Sequence, residues 1–216
     1  MNKAVVLFSG GMDSTTLLFQ AVAQFDHVTA MSFRYGSKHN RYELKACDKI
    51  MAHMNNAAEH RVVDMTGAFE AFKSALLTGG GDIPEGHYNA GNMKLTVVPG
   101  RNLMFLSVAA GYAESVGART VLIGVHSGDS HIYPDCREPF IRAAAETISR
   151  SSDGRVHLLA PFVNINKKDI AAMGQTLGVP WQLTRTCYKD QEEPCGKCGA
   201  CTERNEALGV IGIIEN

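Results

Sequence analysis

The sequence predicts an α/β protein with a doubly wound, five-stranded parallel sheet, followed by a small C-terminal appendage that carries four cysteines. Strand and helix signals alternate along the 216 residues, which is the order that produces a parallel sheet covered on both faces. A Gly-rich turn joins the first strand to the first helix. The four cysteines lie close together near the end of the chain, where sheet signals are few.

The strands are predicted from short apolar runs rich in β-branched residues, and the helices from apolar residues at helical spacing. The predicted strands are residues 3–8, 28–34, 61–64, 120–125 and 156–160. The predicted helices are residues 14–24, 40–54, 67–77, 102–116, 139–149 and 167–177. We expect residues 1–178 to form the α/β domain and residues 179–216 to form the appendage, packed on the same domain.

The composition favours a globular protein of the cytoplasm. The chain is 45% apolar and 20% charged, with a formal net charge of −1, so neither disorder nor a strongly basic nucleic-acid surface is indicated. No window approaches the roughly 18 to 20 apolar residues of a membrane span. The first residues lead directly into the first strand without a signal-peptide pattern. The sequence therefore predicts a cytoplasmic location and no membrane contact.

The turn after the first strand reads Ser-Gly-Gly-Met-Asp-Ser. Free backbone N–H groups and the helix dipole make such a turn an anion site. Gly10 and Gly11 let the backbone approach a ligand closely, and Ser9 and Ser14 offer hydroxyl donors. No Gly-Lys-Ser/Thr follows, so this is not a Walker loop. Asp13 would repel a phosphate unless a divalent cation lay between them, and Mg²⁺ is the best candidate.

This hexamer resembles the signature of the PP-loop ATP pyrophosphatases, which cleave ATP between the α- and β-phosphates and adenylate a carboxylate, carbonyl or amide oxygen. The resemblance implies that ATP is bound by the loop and its flanks, which are Phe8, Ser9, Gly10, Gly11, Met12, Asp13, Ser14 and Thr15. The alternative is a plain strand–turn–helix connection, in which the glycines make the turn and a Ser or Asp side chain caps the helix.

The cysteine spacing is Cys187-x7-Cys195-x2-Cys198-x2-Cys201. In a reducing compartment such a cluster favours a metal site over disulfides. Four thiolates complete a tetrahedral Zn²⁺ shell and leave no open position for catalysis. We therefore expect structural zinc that holds together a tail with no core of its own. The alternatives are an iron–sulfur cluster, a redox pair or incidental cysteines.

With this tail, the chain resembles the 7-cyano-7-deazaguanine synthase family of the queuosine-precursor pathway over nearly its whole length. The motifs are "LFSGGMDSTTLL", "SFRYGSKHNRYEL", "VPGRNLMFLSVA", "YPDCREPF", "INKKDI" and "TCYKDQEEPCGKCGACTERNEAL". The resemblance implies a HUP-type fold and an ATP-dependent ligase acting on 7-carboxy-7-deazaguanine and ammonia. In the family the carboxylate oxygen and then the amide oxygen are adenylated, and the nitrile is released with AMP and pyrophosphate.

Such chemistry requires positive groups that cover the departing pyrophosphate. Arg101 in "VPGRN" and Lys167 in "INKKDI" are the candidates, and with Asp13 they form the predicted catalytic set. Each of the two cations stands at a predicted helix start, where the helix dipole disfavours positive charge. That placement makes a functional role as good an explanation as a solvated surface charge.

Asp129, Asp135 and Arg137 follow the fourth strand and are the predicted substrate-binding residues. An α/β sheet places its ligand beyond the carboxyl ends of its strands. Carboxylates accept paired hydrogen bonds from a guanine-like ring, and an arginine fork suits the substrate's own carboxylate. The alternative is turn chemistry, because Gly-Asp and Pro-Asp favour turns.

The fourth-strand loop departs from the family's commoner form, because His131 and Ile132 stand where a Ser-Gly step is usual. A product other than the nitrile, 7-amido-7-deazaguanine, is therefore an alternative, as is transfer of the activated base to another nucleophile. A PP-loop tRNA-modifying transferase is disfavoured, because such enzymes need a basic tRNA-binding face and usually extra domains. A zinc-ribbon nucleic-acid module is disfavoured, because the cysteine tail carries more acidic than basic residues. His39, His126 and His131 lack metal-ligand spacing and are assigned no role.

Two segments are candidates for the interface of a homodimer, an assembly common in the family. Residues 78–100 are long, glycine-rich and poor in helix signals, so they predict either a mobile lid or an interface arm. The other segment is the apolar "ALGVIGII" near the C-terminus. The predicted partners are thus the small-molecule substrate, ammonia and a second copy of the chain, without stable nucleic-acid binding. The predicted cofactors are ATP, Mg²⁺ and structural Zn²⁺.

Overall fold

A computed structural model of the chain describes residues 1–86 and 91–214. It contains a five-stranded parallel sheet, which confirms the predicted fold class. The strands are β1 (Lys3–Leu7), β2 (His27–Arg34), β3 (Glu59–Asp64), β4 (Thr120–Leu122) and β5 (His157–Leu159). Their order is β3-β2-β1-β4-β5. The winding direction changes between β1 and β4, so the carboxyl ends of these two strands flank the place where such sheets bind ligands.

Within the described residues, seven α-helices pack around the sheet. They are α1 (Met12–Gln24), α2 (Asn40–His53), α3 (Thr66–Phe69), α4 (Arg101–Ser115), α5 (Glu138–Ser151), α6 (Lys167–Thr176) and α7 (Gly199–Val210). Side chains of β1 alternate between the two faces. Val5 and Leu7 join the core beneath α4 and α5, whereas Ala4 and Val6 join the core beneath α1, α2 and α6. None of these helices has the length and apolar content needed to cross a membrane.

The prediction of one helix over residues 67–77 is wrong, because the short helix α3 ends at Phe69. Beyond α3 some backbone N–H groups bond to distant segments, and the local bonds that remain form single turns. Ala75 N donates to Leu95 O at 2.8 Å, and Thr78 N donates to Gly36 O at 2.8 Å. Tertiary hydrogen bonds therefore replace the local helical pattern, which apolar spacing alone cannot reveal.

The C-terminal segment ends in α7, a helix that was not predicted, and it packs closely on the α/β domain. One buried apolar cluster contains Met12 of α1, Leu208 of α7 and Trp181, which lies between α6 and α7. The buried Arg204 donates to the carbonyl oxygen of Trp181 at 2.8 Å. The apolar residues of this tail thus share a core with α1 and α6 of the domain. The proposed boundary after residue 178 stays a prediction.

The described parts of the 78–100 segment lie partly against the cysteine-rich tail. Glu85 forms an isolated β-bridge with Cys198, and its Oε1 accepts a hydrogen bond from Lys189 Nζ at 2.6 Å. A 3-10 helix spans Gly91–Thr96. The role of this segment as a lid or an interface arm stays a prediction, and residues 87–90 lie outside the described residues.

Gly174 in α6 tests the packing of this helix against α1 and the tail. A Cβ at Gly174 would lie 2.3 Å from Cη2 of Trp181 and 2.7 Å from Oγ1 of Thr16. We expect Gly174→Ala to lower the free energy of unfolding by about 2–3 kcal/mol through overpacking. Gly111→Ala in α4 is the matched control, because a Cβ there meets no atom within 4 Å. That variant should gain about 0.5–1 kcal/mol from helix propensity. Urea unfolding of both proteins measures the difference, and shifts of the same sign would contradict the packing.

Candidate active site

The loop between β1 and α1 has the geometry of an anion site. Gly10 has a φ of +74°, and a Cβ there would lie 3.0 Å from the carbonyl oxygen of Glu43 in α2. A larger residue would therefore be strained and would push α2 away. The Ser9 and Ser14 hydroxyl oxygens lie 3.1 Å apart. Because α1 begins at Met12, its first free N–H groups stand beside these hydroxyls.

A cavity of about 210 Å³ opens beside this loop, at the carboxyl ends of β1 and β4; we call it the central cavity. The predicted site residues that line it are Phe8, Ser9, Gly11, Asp13, Ser14, Arg101, Asp129 and Lys167. The predicted site residues outside its lining are Gly10, Met12, Thr15, Asp135 and Arg137. The fold thus brings the three predicted catalytic residues together around one cavity.

Lys167, the first residue of α6, is buried in the cavity wall between two carboxylates. Its Nζ lies 2.9 Å from Oε2 of Glu203 on α7 and 3.2 Å from Oδ2 of Asp13. Burial by itself would lower the pKa of Lys167, but the negative charges of Asp13 and Glu203 raise that pKa above its usual range. Lys167 is therefore a fixed positive charge beside the loop.

His126, four residues after β4, is fully buried against the same carboxylates. Its Nε2 lies 3.5 Å from Oδ2 of Asp129 and 3.9 Å from Oδ2 of Asp13. Its Nδ1 accepts a hydrogen bond from Gly128 N at 3.1 Å, so the neutral ring carries its proton on Nε2. The His126, Asp129 and Glu203 ligand atoms are close enough together to hold a metal ion. The proton on Nε2 leaves that nitrogen without a lone pair for a metal. Nε2 faces the carboxylates, but among the described residues it has no hydrogen-bond partner.

Asp135 and Arg137 make contacts that organise the loop after β4. Asp135 Oδ2 accepts a hydrogen bond from the backbone N of Asn102 at 3.0 Å, near the start of α4. The exposed Arg137 donates from Nε to the carbonyl oxygen of Ser130 at 2.9 Å. These contacts give both residues structural roles, although Asp135 bonds to α4 and not within its own turn. Their roles in substrate binding stay predictions.

The four cysteines of the tail come together as one cluster. The Sγ atoms of Cys187, Cys195, Cys198 and Cys201 all lie within 4.8 Å of one another. Four sulfurs about 2.3 Å from one tetrahedral ion would be about 3.8 Å apart, and the Cys195–Cys201 sulfur pair is separated by 4.0 Å. Backbone N–H groups also donate to the sulfurs of Cys187 and Cys195. The cluster therefore fits a single metal ion.

The central cavity also contains residues to which the sequence analysis gave no role. His39 and Glu43 stand one turn apart at the start of α2, and Arg185 donates from its backbone N to Gly10 O at 2.8 Å. His39 and Glu43 lie in the motif "SFRYGSKHNRYEL" at i and i+4, which is a signal that one helix face carries both. Arg185 and Glu203 lie near the tail cysteines in the sequence, and nothing in their spacing points to the cavity.

Burial in the cavity wall shifts the protonation of the His39–Glu43 pair. Burial raises the pKa of Glu43 to about 8, although Arg101 and Arg185 act against this rise. Burial, assisted by Arg101, lowers the pKa of His39 to about 3. His39 is therefore neutral at working pH, and Glu43 titrates near neutrality in the free protein.

These two shifts predict how stability depends on pH. Between pH 6.5 and 8, folded Glu43 holds a proton that the unfolded chain has lost, so stability falls as pH rises. His39 contributes only below pH 6.5, where rising pH increases stability. We expect the melting temperature of the wild-type protein to fall by about 4 °C between pH 6.5 and 8. Glu43→Gln should remove most of this fall in a calorimetric scan, and an unchanged slope would contradict the assignment.

Comparison with known proteins extends the similarity over nearly the whole chain. The profile of a family described as "Queuosine biosynthesis protein QueC" matches residues 3–212. A Desulfotalea psychrophila protein named 7-cyano-7-deazaguanine synthase is 48% identical over 208 residues, which cover 96% of this chain and 94% of that protein. A Caldicellulosiruptor bescii protein of the same name is 43% identical over 211 residues, which cover 98% of this chain and 94% of that protein.

Solved structures of other proteins share the fold at low sequence identity. NMN synthetase from Francisella tularensis superposes with a TM-score of 0.53 and 16% identity, over 100% of this chain and 79% of that one. A 4-thiouridine synthetase, solved in complex with RNA and bound ATP, superposes with a TM-score of 0.53 and 15% identity, over 98% of this chain and 50% of that one. At this level of identity the likeness concerns the fold alone.

Proposed function

The chain belongs to the queuosine biosynthesis QueC family, and from this premise we propose that it uses ATP to convert 7-carboxy-7-deazaguanine and ammonia to 7-cyano-7-deazaguanine. The observation that carries the proposal is 48% and 43% identity, over nearly the full length, to proteins named 7-cyano-7-deazaguanine synthase. The central cavity supports it, because an anion-binding loop, two cations and a buried carboxyl group converge there.

The chemistry proceeds through two adenylations. The substrate carboxylate is a poor acceptor for ammonia, so its oxygen first attacks the α-phosphate of ATP and pyrophosphate leaves. Ammonia then displaces AMP from the acyl adenylate and gives the amide. A second ATP adenylates the amide oxygen, and loss of AMP and of both N–H protons gives the nitrile. The site must therefore stabilise a departing pyrophosphate twice.

Asp13, Lys167 and Arg101 are the residues that we assign to the adenylation steps. Lys167 is a fixed positive charge 3.2 Å from Asp13, and Arg101 lines the same cavity. In the proposed site these two cations bind the pyrophosphate, while the loop N–H groups and the Ser9 and Ser14 hydroxyls donate to its oxygens. Asp13 orients Lys167 through their ion pair.

Asp13 is also the residue that would hold Mg²⁺. Its Oδ1 is buried and receives no hydrogen bond from any residue in 1–86 or 91–214. A carboxylate oxygen without a donor fits a hard cation, since Mg²⁺ takes oxygen ligands from carboxylates and phosphates. When bound, Mg²⁺ supplies positive charge that neutralises the phosphate oxygens.

We assign Zn²⁺ to the four-cysteine cluster and a homodimer to the assembled enzyme. The sulfur separations and the four-thiolate donor set support zinc. Exposed apolar side chains in both candidate interface segments support the dimer, namely Leu95, Val210 and Ile214. The net charge of −1 supports an enzyme that acts on a free base and does not bind nucleic acid stably. A small-molecule biosynthetic reaction of this kind suits the cytoplasm.

The proposal is tested by incubating the protein with ATP, Mg²⁺, ammonium and 7-carboxy-7-deazaguanine and analysing the products by mass spectrometry. We expect 7-cyano-7-deazaguanine, with two AMP formed for each nitrile. Accumulation of 7-amido-7-deazaguanine would identify a variant that stops after the first adenylation, which the His131–Ile132 step in the fourth-strand loop makes worth testing. No reaction with the base, together with retention of labelled tRNA on a filter, would instead favour a tRNA-modifying transferase.

A further inference from the structure

His39 and Glu43 form an unassigned pair of titratable groups in the wall of the central cavity. Nε2 of His39 lies 3.6 Å from Oε1 of Glu43, and their side chains are 2% and 19% exposed. His39 immediately precedes α2 and Glu43 lies in its first turn. Among the described residues, no donor lies within hydrogen-bond distance of the Glu43 carboxyl oxygens. A buried carboxyl group that faces a cavity without a donor is suited to receive a proton or an N–H group from a ligand.

The position of Glu43 places this carboxyl group near the reacting atoms. The main chain of Glu43 packs on Gly10, at the back of the anion-binding loop, and its side chain lines the cavity in front of that loop. In the proposed site the loop binds the departing pyrophosphate, which is bonded to the α-phosphate of ATP. The oxygen that becomes adenylated attacks this α-phosphate, so it must lie beside the α-phosphate. Nitrogen adds to the carbon that carries this oxygen, inside the same cavity.

Several other titratable groups that line the cavity are poorly suited to accept a proton. Asp13 already faces Lys167, and Asp129 faces His126. Burial raises the pKa values of the phenols Tyr35 and Tyr133 and of the thiols Cys47 and Cys136, which are therefore protonated at working pH. The low pKa of His39 makes its ring a weak base. Glu43, with a pKa of about 8, is the strongest base among these groups that is available near neutral pH.

We infer that Glu43 is the proton acceptor for nitrogen in both halves of the reaction. This inference rests on the proposed function. In the first half, the C–N bond forms as ammonia attacks the acyl adenylate, the nitrogen gives a proton to Glu43, and the C–O bond to AMP breaks. In the second half, the amide nitrogen loses two protons. One passes to solvent when the amide oxygen is adenylated, and the other passes to Glu43 as the C–O bond to AMP breaks and the C≡N bond forms. Each proton that Glu43 accepts then passes to solvent.

The charged groups around Glu43 explain why it can ionise when the reaction requires it. Arg101 from α4 and Arg185 from the tail both favour its charged form. Tyr35 and Cys47 also interact with it electrostatically, and both are protonated and uncharged at neutral pH. The rate of nitrile formation should therefore rise with pH through the ionisation of Glu43, and level off above about pH 8.

Substrate-dependent exchange of labelled pyrophosphate into ATP separates this role from a structural one, because adenylation of a carboxylate releases no proton. We expect Glu43→Gln to keep the exchange rate within about twofold and to lower nitrile formation about 100-fold or more. Its remaining rate should not depend on pH between 6.5 and 8.5. Glu43→Asp should retain an intermediate rate and the pH dependence, and Glu70→Gln, at an exposed glutamate, should behave as wild type.

Two results would overturn the inference. One is nitrile formation by Glu43→Gln at the wild-type rate, and the other is a parallel loss of exchange and nitrile formation. A wild-type protein that forms no nitrile or amide would instead overturn the proposed function, so the two failures are distinguishable.

Discussion

Asp13→Asn is expected to lower AMP formation about 1,000-fold while leaving the protein folded. The substitution keeps the shape of the side chain but removes its negative charge. The amide has no anionic oxygen for a cation, and it weakens the ion pair that holds Lys167 at 3.2 Å. Two of the positive charges proposed to meet the pyrophosphate, Mg²⁺ and Lys167, would thus be lost or displaced, and Arg101 would remain. Lys167 would retain Glu203 as its partner at 2.9 Å, so we expect little change in melting temperature.

AMP release measured by chromatography at saturating ATP and Mg²⁺ provides the readout. Asp153→Asn is a matched control, because it makes the same chemical change in an exposed turn where the residue has a φ of +48°. Asparagine tolerates that backbone conformation as well as aspartate does. The assignment of Asp13 would be abandoned if Asp13→Asn released AMP at the rate of the control.

Cys201→Ser is expected to abolish stable metal binding and to destabilise the C-terminal segment by several kcal/mol. A four-coordinate structural site loses most of its affinity with one thiolate, and binding of a structural metal contributes directly to folding. The segment should not unfold completely, because Trp181 and Leu208 anchor it through the apolar cluster shared with α1 and α6. Elemental analysis and hydrogen exchange over α7 measure the two effects.

The same variant should also lower activity, because α7 connects the cysteine cluster to the central cavity. Glu203, two residues after Cys201, forms the ion pair with Lys167. If the start of α7 loses its order, Lys167 loses one of its two carboxylate partners. Cys47→Ser is the control, since Cys47 is buried away from the cluster, and it should keep one metal ion per chain. An equal metal content in both variants would argue against the four-cysteine site.

Local sequence patterns were sufficient to predict the strands of the sheet and most of the helices that cover it. The apolar run ending at Phe8 and the helical spacing after Ser14 place β1, the loop and α1 within two residues of their positions in the structure. The pattern failed for residues 67–77, where backbone groups bond to distant segments. It also missed α7, because Arg204 interrupts the apolar face that this helix buries.

The candidate site also contains some residues that the sequence could identify and others that it could not. Asp13, Arg101 and Lys167 were recognisable from the motifs that contain them, and the fold brings them to one cavity. Glu203 and Arg185 were not recognisable, because charged residues near a metal-binding tail are usually solvated. Their approach to the cavity depends on how the tail folds back over α1 and α6.

The sequence by itself determined the individual strands, the Gly-rich turn after β1 and the four-cysteine cluster, because each depends on residues that are neighbours in the chain and on chemistry that short spacing preserves. Only the tertiary structure decided which charges meet. Burial and the approach of residues far apart in sequence set the ion pair of Lys167 with Glu203, the proton on His126 and the pKa of Glu43. The free energy of a buried charge depends on all of its neighbours at once, and a linear pattern does not contain them.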